Sequence, residues 1–162
     1  MAVEEDVLRA LRERFGAGAF REAVVVRPRV AKVAIDRKDL LEVCRFLKRS
    51  FDMEHLSCVT AVDWRDHFES VYHLTSWSRN FMVQINAWIP HDDPRIDSVT
   101  PLWNAANCLE REAYDLMGIV YDGHPNLTRI LLPKDFAFHP LRKDFPQEVD
   151  RQYITRRKIG GG

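Results

Sequence analysis

The chain has 162 residues, 46% of them hydrophobic, which is enough for one globular domain to bury a core without disulfide or metal staples. Twenty-four Lys and Arg balance twenty-four Asp and Glu, so no net field gathers nucleic acid or an anionic membrane surface. The three cysteines, Cys44, Cys58 and Cys108, are odd in number and widely spaced, which excludes a Cys-x-x-Cys zinc or iron–sulfur framework and fits reduced thiols.

The opening run MAVEEDVLRALRERF carries acids where a signal peptide carries bases, and no stretch of the chain reaches the roughly 18 consecutive apolar residues of a membrane span. Val3, Val7, Leu8, Leu11 and Phe15 share one helical face, and GAG at 16 to 18 stops that helix. EAVVVRPRVAKVAID reads as two short strands turned at Pro28. A second helix follows from Asp36 as N-cap through Leu40, Leu41, Val43, Cys44 and Leu47. Between Met53 and Ile89 the runs HLSCVTAVDW, SVYHLTSW and FMVQINAWI are divided by the polar turns RDH and SRN. Phe81, Val83, Ile85, Ala87 and Ile89 alternate with polar or larger residues, the period of a strand with one buried face. This part is expected to be an antiparallel meander. Residues 90 to 98 read as a loop, and Thr100 before Pro101 as a helix start. Leu102, Ala106, Leu109, Ala113 and Leu116 then line one helical face up to a stop near Gly118. Beyond it lie turns, short extended pieces and charges, with too little apolar surface to fold alone.

The run EREAYDLMGIVYDGHPNLTRILLPKDFAFHPLRKDFP, residues 110 to 146, concentrates acids, bases and two histidines. Its helical pattern leaves Glu110, Arg111, Tyr114 and Asp115 opposite the apolar face, with Arg111 and Asp115 spaced i,i+4 and Glu112 and Asp115 i,i+3, as on a solvated, self-paired surface. A catalytic reading takes Glu112 and Asp115 as an acid/base pair or as ligands for a hard metal, with His124 or His139 as a further base. The sequence holds no nucleophile elbow, no His-Glu-x-x-His and no glycine-rich phosphate loop. HPLRKDFP instead places two X-Pro dipeptides around Arg142, Lys143 and Asp144, an extended, charged segment suited to wrapping a protein partner. Arg111, Arg129 and Arg142 can anchor such a contact by bridging carboxylates, with Leu131, Leu132 and Phe136 buried beside them.

Glu110-Arg111-Glu112, Tyr114-Asp115-Leu116, Gly118-Ile119, Gly123-His124-Pro125, Arg129-Ile130-Leu131 and Pro140-Leu141-Arg142-Lys143-Asp144 occur in one order and spacing. That pattern resembles the signature of the C subunit, or 30-kilodalton subunit family, of respiratory complex I, the proton-translocating NADH:quinone oxidoreductase. The resemblance is strongest over residues 98 to 146 and looser from about 20 to 97; Cys108, Ala113 and Met117 stand where larger or aromatic residues are common in the family. The pattern and the resemblance together imply an α+β, two-layer domain with helices on a mixed, about five-stranded sheet. The domain is expected over residues 1 to 125, with an extended partner-binding segment over 126 to 162.

The resemblance further implies an accessory subunit of the peripheral arm with no cofactor and no catalytic residue of its own. In that family's complex, electrons pass from NADH through FMN and iron–sulfur clusters to quinone in other subunits. The implied partners are the large quinone-site subunit (the D subunit), the subunit carrying the terminal iron–sulfur cluster and other hydrophilic-arm subunits, with no nucleic acid. The residues expected at that interface are Glu110, Arg111, Glu112, Asp115, His124, Pro125, Arg129, Leu132, Pro140, Leu141, Arg142, Lys143 and Asp144. The chain is expected on the cytoplasmic side of a bacterial cell membrane, held there through the complex. Past Pro146, Arg151, Arg156, Arg157 and Lys158 outnumber Glu148 and Asp150, so the tail is expected to meet an acidic surface and to order on assembly. Two other readings stay open. One is the equivalent subunit of a ferredoxin-dependent complex, a membrane-bound hydrogenase or a deazaflavin-dependent dehydrogenase; the other is a stand-alone metal-dependent hydrolase using Glu112, Asp115 and His124.

Overall fold

The computed structural model describes residues 2 to 146. Helix α1 (Val3–Phe15) is followed by strands β1 (Phe20–Arg27) and β2 (Val30–Asp36), helix α2 (Leu40–Ser50), and strands β3 (His55–Asp63), β4 (His67–Ser76) and β5 (Phe81–Pro90). A short strand β6 (Arg95–Asp97), helix α3 (Ala106–Met117) and strand β7 (Val120–Asp122) complete the elements. The basic tail beyond Pro146, with its expected acidic partner, lies outside the described residues.

The five long strands form one mixed sheet in the order β1-β2-β5-β4-β3, parallel only between β2 and β5. Register aligns the apolar phases: Val33 lies beside Ile85 and Ile85 beside Tyr72, while Ala31, Val83 and Leu74 form the next row. A single face therefore carries the apolar side chains. Val7, Leu8 and Leu11 of α1, Leu40, Val43, Cys44 and Leu47 of α2, and Ala106, Ala113 and Met117 of α3 join it in one core. The opposite face carries the polar phase, with Asn86 Nδ2 donating to Glu69 Oε2 at 3.0 Å and Gln84 Nε2 donating to Asn86 Oδ1 at 2.8 Å. The two-layer α+β architecture on a mixed five-stranded sheet is as expected.

Three local expectations need correction. Asp36 does not cap α2 directly: its carboxylate pairs with Arg21 at 2.6 Å, and a 3-10 turn, Arg37–Asp39, precedes the helix. The loop at 90 to 98 contains β6, which pairs in parallel with β7; strands of three residues are too short to leave a periodic trace. The third helix starts at Ala106 rather than Thr100. Leu102 and Trp103 both donate their N–H to Val99 O, at 2.9 and 3.0 Å, and Trp103 Nε1 donates to Met53 O at 3.1 Å. The anchored indole closes a separate turn there.

The core and the sheet edge should respond differently to truncation. Ile85→Ala, at a site with no exposure, should cost about 2–5 kcal/mol. Val26→Ala, more than half exposed at the edge of β1, should stay within about 0.5 kcal/mol. Urea unfolding of both variants checks the contrast.

Candidate functional site

The last turn of an α-helix leaves carbonyls without intrahelical donors. In α3 the segment that follows supplies them. Tyr114 O accepts from the Gly118 N–H at 2.8 Å, and Leu116 O from the Leu141 N–H at 3.1 Å. Asp115 O accepts from Arg129 Nη1 at 3.1 Å and from His139 Nδ1–H at 3.0 Å. Met117 O accepts from Arg142 Nε at 2.6 Å. The Arg142 guanidinium thus sits where the helix dipole is negative, and its carbon lies 5.1 Å from the centre of the Phe68 ring. Gly118 turns the chain with φ +73°, and a Cβ there would come within 2.5 Å of Arg142 Nη2 and His139 Cδ2. Only glycine fits that position.

The side chain of Asp115 holds the returning chain. It is fully buried, and its Oδ2 accepts the consecutive N–H groups of Ile130, Leu131 and Leu132 at 3.0, 2.8 and 2.9 Å. Its Oδ1 pairs with Arg129 Nη1 at 2.7 Å. Burial pushes this carboxyl up, but the Leu132, Arg129, Leu131 and Ile130 donors outweigh it and hold the group below the usual carboxylate range. Arg129 Nη2 also donates to Phe138 O at 3.0 Å. Burial lowers the His139 pKa, opposed by the hydrogen bond to the Asp115 carbonyl, and Arg142 and Arg129 add to the lowering.

Arg111, His124 and the Lys143 backbone are engaged in a similar way. Arg111 donates through Nε to Thr128 O at 2.9 Å and through Nη2 to Thr128 Oγ1 and Arg129 O at 3.0 and 3.2 Å. His124 accepts the Asn126 N–H on Nδ1 at 3.0 Å, which makes Nε2–H the donor to Asn107 O at 3.1 Å. The Lys143 N–H donates to Asp63 Oδ2 at 2.9 Å, tying the segment to the end of β3. Burial raises the Asp63 pKa, but the Lys143 and Arg65 N–H groups and His91 turn the net shift downward.

Glu110 stands apart from these. Its side chain has no exposure, accepting the Ser98 hydroxyl at 2.6 Å and the Val99 N–H at 2.8 Å. Burial pushes it up to about 7, and the two hydrogen bonds recover only part of the cost.

These contacts correct the expected solvated, self-paired helix face. Glu110 and Asp115 are buried, Arg111 binds the 128–129 loop, and the partner of Asp115 is Arg129. The apolar seam is Ala106, Ala113 and Met117 with Glu110 in line, while Leu102, Leu109 and Leu116 are half-buried. Asp115, with both oxygens already serving four donors, is not free for acid/base work, and both His124 nitrogens are occupied. Of the remaining expected residues, Glu112, Pro125, Leu141, Lys143 and Asp144 are exposed, and Leu132 and Pro140 are half-buried. Phe136 is buried as expected, but Leu131 is exposed, because its N–H turns in toward Asp115 while its side chain turns out. The sequence pattern does not single out Asp63 or Ser98. Asp63 leaves a signal all the same, since it continues the inward phase of Val59 and Ala61 and therefore puts a carboxylate on the core face.

The family model described as the respiratory-chain NADH dehydrogenase 30 Kd subunit matches residues 33–151. The chain belongs to this family. The C subunit of NADH-quinone oxidoreductase from Geobacter metallireducens is 42% identical over 140 residues, covering 84% of this chain and 85% of its own. The C subunit of F(420)H(2) dehydrogenase from Methanosarcina mazei is 37% identical, covering 84% and 90%. A protein of Edwardsiella ictaluri, the C/D subunit of NADH-quinone oxidoreductase by name, is 36% identical over 96% of this chain and 28% of its own length. Among solved structures, one from the archaeal membrane-bound sulfane sulfur reductase superposes with TM-score 0.79 at 25% identity, covering 93% of this chain and 91% of its own. The trypsin-resistant fragment (1-134) of Nqo5 gives 0.64 at 29% identity, covering 75% and 99%. This 30-kilodalton-type protein is accordingly the C subunit of an oxidoreductase complex of the NADH-quinone type and its relatives.

Asp115→Asn should cost about 3–5 kcal/mol, because it breaks a buried ion pair and turns an amide toward N–H donors; urea titration measures it. The pH dependence should have two limbs. Asp63 and Asp115 titrate below their unfolded values, so the stability they add is present above the normal carboxylate range and is lost as pH falls through their folded pKa values. Glu110 titrates above its unfolded value. Its limb runs the other way, with stability full below about 4.5 and declining by roughly 3 kcal/mol as pH rises through about 7. Glu110→Gln should flatten that second limb in denaturation curves taken between pH 4 and 8.

Proposed function

We propose that the chain is an accessory, cofactor-free subunit of the peripheral arm of an NADH:quinone oxidoreductase, serving assembly and support of the quinone-site subunits. Electrons from NADH pass through FMN and iron–sulfur clusters held by other subunits to quinone. The observation that carries this reading is the use made of the polar run: Asp115, Arg111, Arg129, His139 and Arg142 are committed to backbone groups of their own chain. Residues bound in this way shape a surface; they do not transfer protons or electrons. Cys44 supports the same view, since burial first and Glu110 second push its thiol far up, away from the thiolate a cluster ligand needs.

The partner is the large quinone-site D subunit, by analogy with the C/D name of the Edwardsiella relative, and the subunit bearing the terminal cluster lies beside it. In this reading residues 126 to 146 are the docking segment. Its exposed members, with Glu112 and Pro125, meet the partners, while Asp115, Arg111, Arg129 and Arg142 act from within by fixing the backbone. No described helix is long and apolar enough to cross a membrane, which suits a peripheral position on the cytoplasmic side, held through partners. The Methanosarcina relative favours one second reading, the same subunit in a complex with a different electron donor.

A tag on the chain at its native locus, followed by gentle solubilisation of membranes, tests this. A flavin- and cluster-containing assembly with NADH:quinone turnover is expected, and Arg142→Ala should lower the amount of assembled complex while turnover per complex stays normal. Full assembly with lost turnover would instead place chemistry in this subunit.

A further inference from the structure

The last turns of α1 and α2 carry two cations each, Arg12 and Arg14 in α1 and Lys48 and Arg49 in α2. In each pair one cation serves the chain itself: Arg12 Nη2 donates to Ala23 O at 2.7 Å, and Lys48 Nζ donates to Leu102 O. The others, Arg14 and Arg49, line a cleft of about 180 Å³ between the two helices, together with Arg45, Glu42, Phe15 and Phe46. Arg45 is paired with Glu42. Among the described residues neither Arg14 nor Arg49 is paired with a carboxylate or hydrogen-bonded through its side chain; the Arg14 guanidinium carbon lies 5.5 Å from the centre of the Phe15 ring. Three guanidiniums thus share one cleft with one carboxylate, and two charges stay unmatched. Two larger clefts are balanced instead. In one, Arg65 and Lys143 accompany Asp63 and Asp144 together with His91; in the other, Arg37, Lys38 and Arg95 accompany Asp93, Asp97 and Asp122.

From this excess we infer that the cleft between the C-terminal ends of α1 and α2 is a binding site for a phosphate group, held by Arg14, Arg45 and Arg49. The negative end of each helix accounts for a cation in its last turn, but Arg12 and Lys48 already supply one apiece. A doubly charged oxyanion matches two unpaired guanidiniums, and the planar fork of arginine fits its oxygens bidentately. A lone carboxylate would leave one of the two charges unmatched. Ser50 adds a hydroxyl donor to the lining. Phe15 and Phe46, edge to face with centres 5.7 Å apart, wall the cleft with apolar surface, which lowers the local dielectric and strengthens the attraction. The cleft is smaller than the roughly 300–1,000 Å³ of sites that enclose a whole small molecule, so the phosphate enters while the rest of its carrier stays outside. A free phosphate ester and a phospholipid headgroup share this chemistry. The site lies outside the polar run of residues 110 to 146 and does not depend on the partnership proposed above.

The test titrates inorganic phosphate into the full chain by calorimetry at constant ionic strength, and in parallel measures sedimentation of the chain with phosphatidylcholine vesicles with and without phosphatidic acid. Saturable one-to-one binding of phosphate is expected, weakened at least tenfold in Arg14→Gln/Arg49→Gln and unchanged in Arg27→Gln/Lys38→Gln, which removes the same charge elsewhere. If the glutamine pair loses its melting transition, Arg14→Lys/Arg49→Lys is read instead, and a several-fold weakening is expected because the charge stays while the fork is lost. Sedimentation with the phosphatidic acid vesicles that the glutamine pair abolishes, without binding of free phosphate, also supports the site and assigns it to a headgroup. Wild-type binding by the glutamine pair overturns the inference, as does an equal loss in the Arg27/Lys38 variant. A wild-type chain that binds neither free phosphate nor the anionic vesicles overturns it as well.

Discussion

A carboxylate withdrawn from water loses several kcal/mol of solvation unless donors replace the water. Asp115 meets that demand with three consecutive backbone N–H groups and one guanidinium, and the rest of the C-terminal structure follows from the way it does so. To present three successive amides to one oxygen, residues 130 to 132 must curve around it. Arg129 is then in reach of both the carboxylate and the Asp115 carbonyl, and its other nitrogen reaches Phe138. One buried charge therefore organises a segment with almost no regular secondary structure.

The same demand governs the end of α3. The carbonyls of its last turn would otherwise need water, yet the helix stops against its own returning chain. Gly118 provides the left-handed turn, and its missing side chain leaves room for His139 and Arg142 to reach Asp115 O and Met117 O. Arginine suits this place twice over, as a permanent cation at the negative end of a helix and as a planar donor that stacks on Phe68. Asp63 then fastens the far side of the segment to β3 through the Lys143 N–H. Asp115, Arg111, Arg129, His139 and Arg142 act as staples, each satisfying a backbone donor or acceptor.

For one member of a large electron-transfer complex, such an arrangement separates two tasks. Buried and half-buried charges such as Asp115, Arg129 and Arg142 build a firm end to a small domain, while Glu112, Lys134, Lys143 and Asp144 stand exposed at its surface beside Leu131 and Leu141. Glu110 is the exception, a carboxyl in the core with no cationic partner among the described residues. It links the turn at Ser98 and Val99 to α3, and its burial makes that link sensitive to pH near neutrality.

How much of this was legible depends on the range of each signal. Alternation in Phe81 to Ile89 and helical spacing in Val3 to Phe15 report short-range geometry, so the five long strands, the first two helices and the two-layer class could be read from the sequence. The motif order around Tyr114-Asp115-Leu116 and Pro140 to Asp144 was specific enough to point to the family, which the match over residues 33–151 bears out. By itself the sequence determined the long strands and first two helices, most of their apolar faces, and the kinship. Helical periodicity places Asp115 opposite the apolar face and says nothing of what will cover it, so its burial was decided only by the chain returning 14 to 17 residues later. The parallel pairing of β2 with β5, the anchoring of Lys143 to Asp63 across 80 residues and the burial of Glu110 were likewise decided by tertiary structure. The physical reason is common to all of them: a hydrogen bond or a buried charge is a pairwise contact in space, and a local pattern carries only one of its two partners.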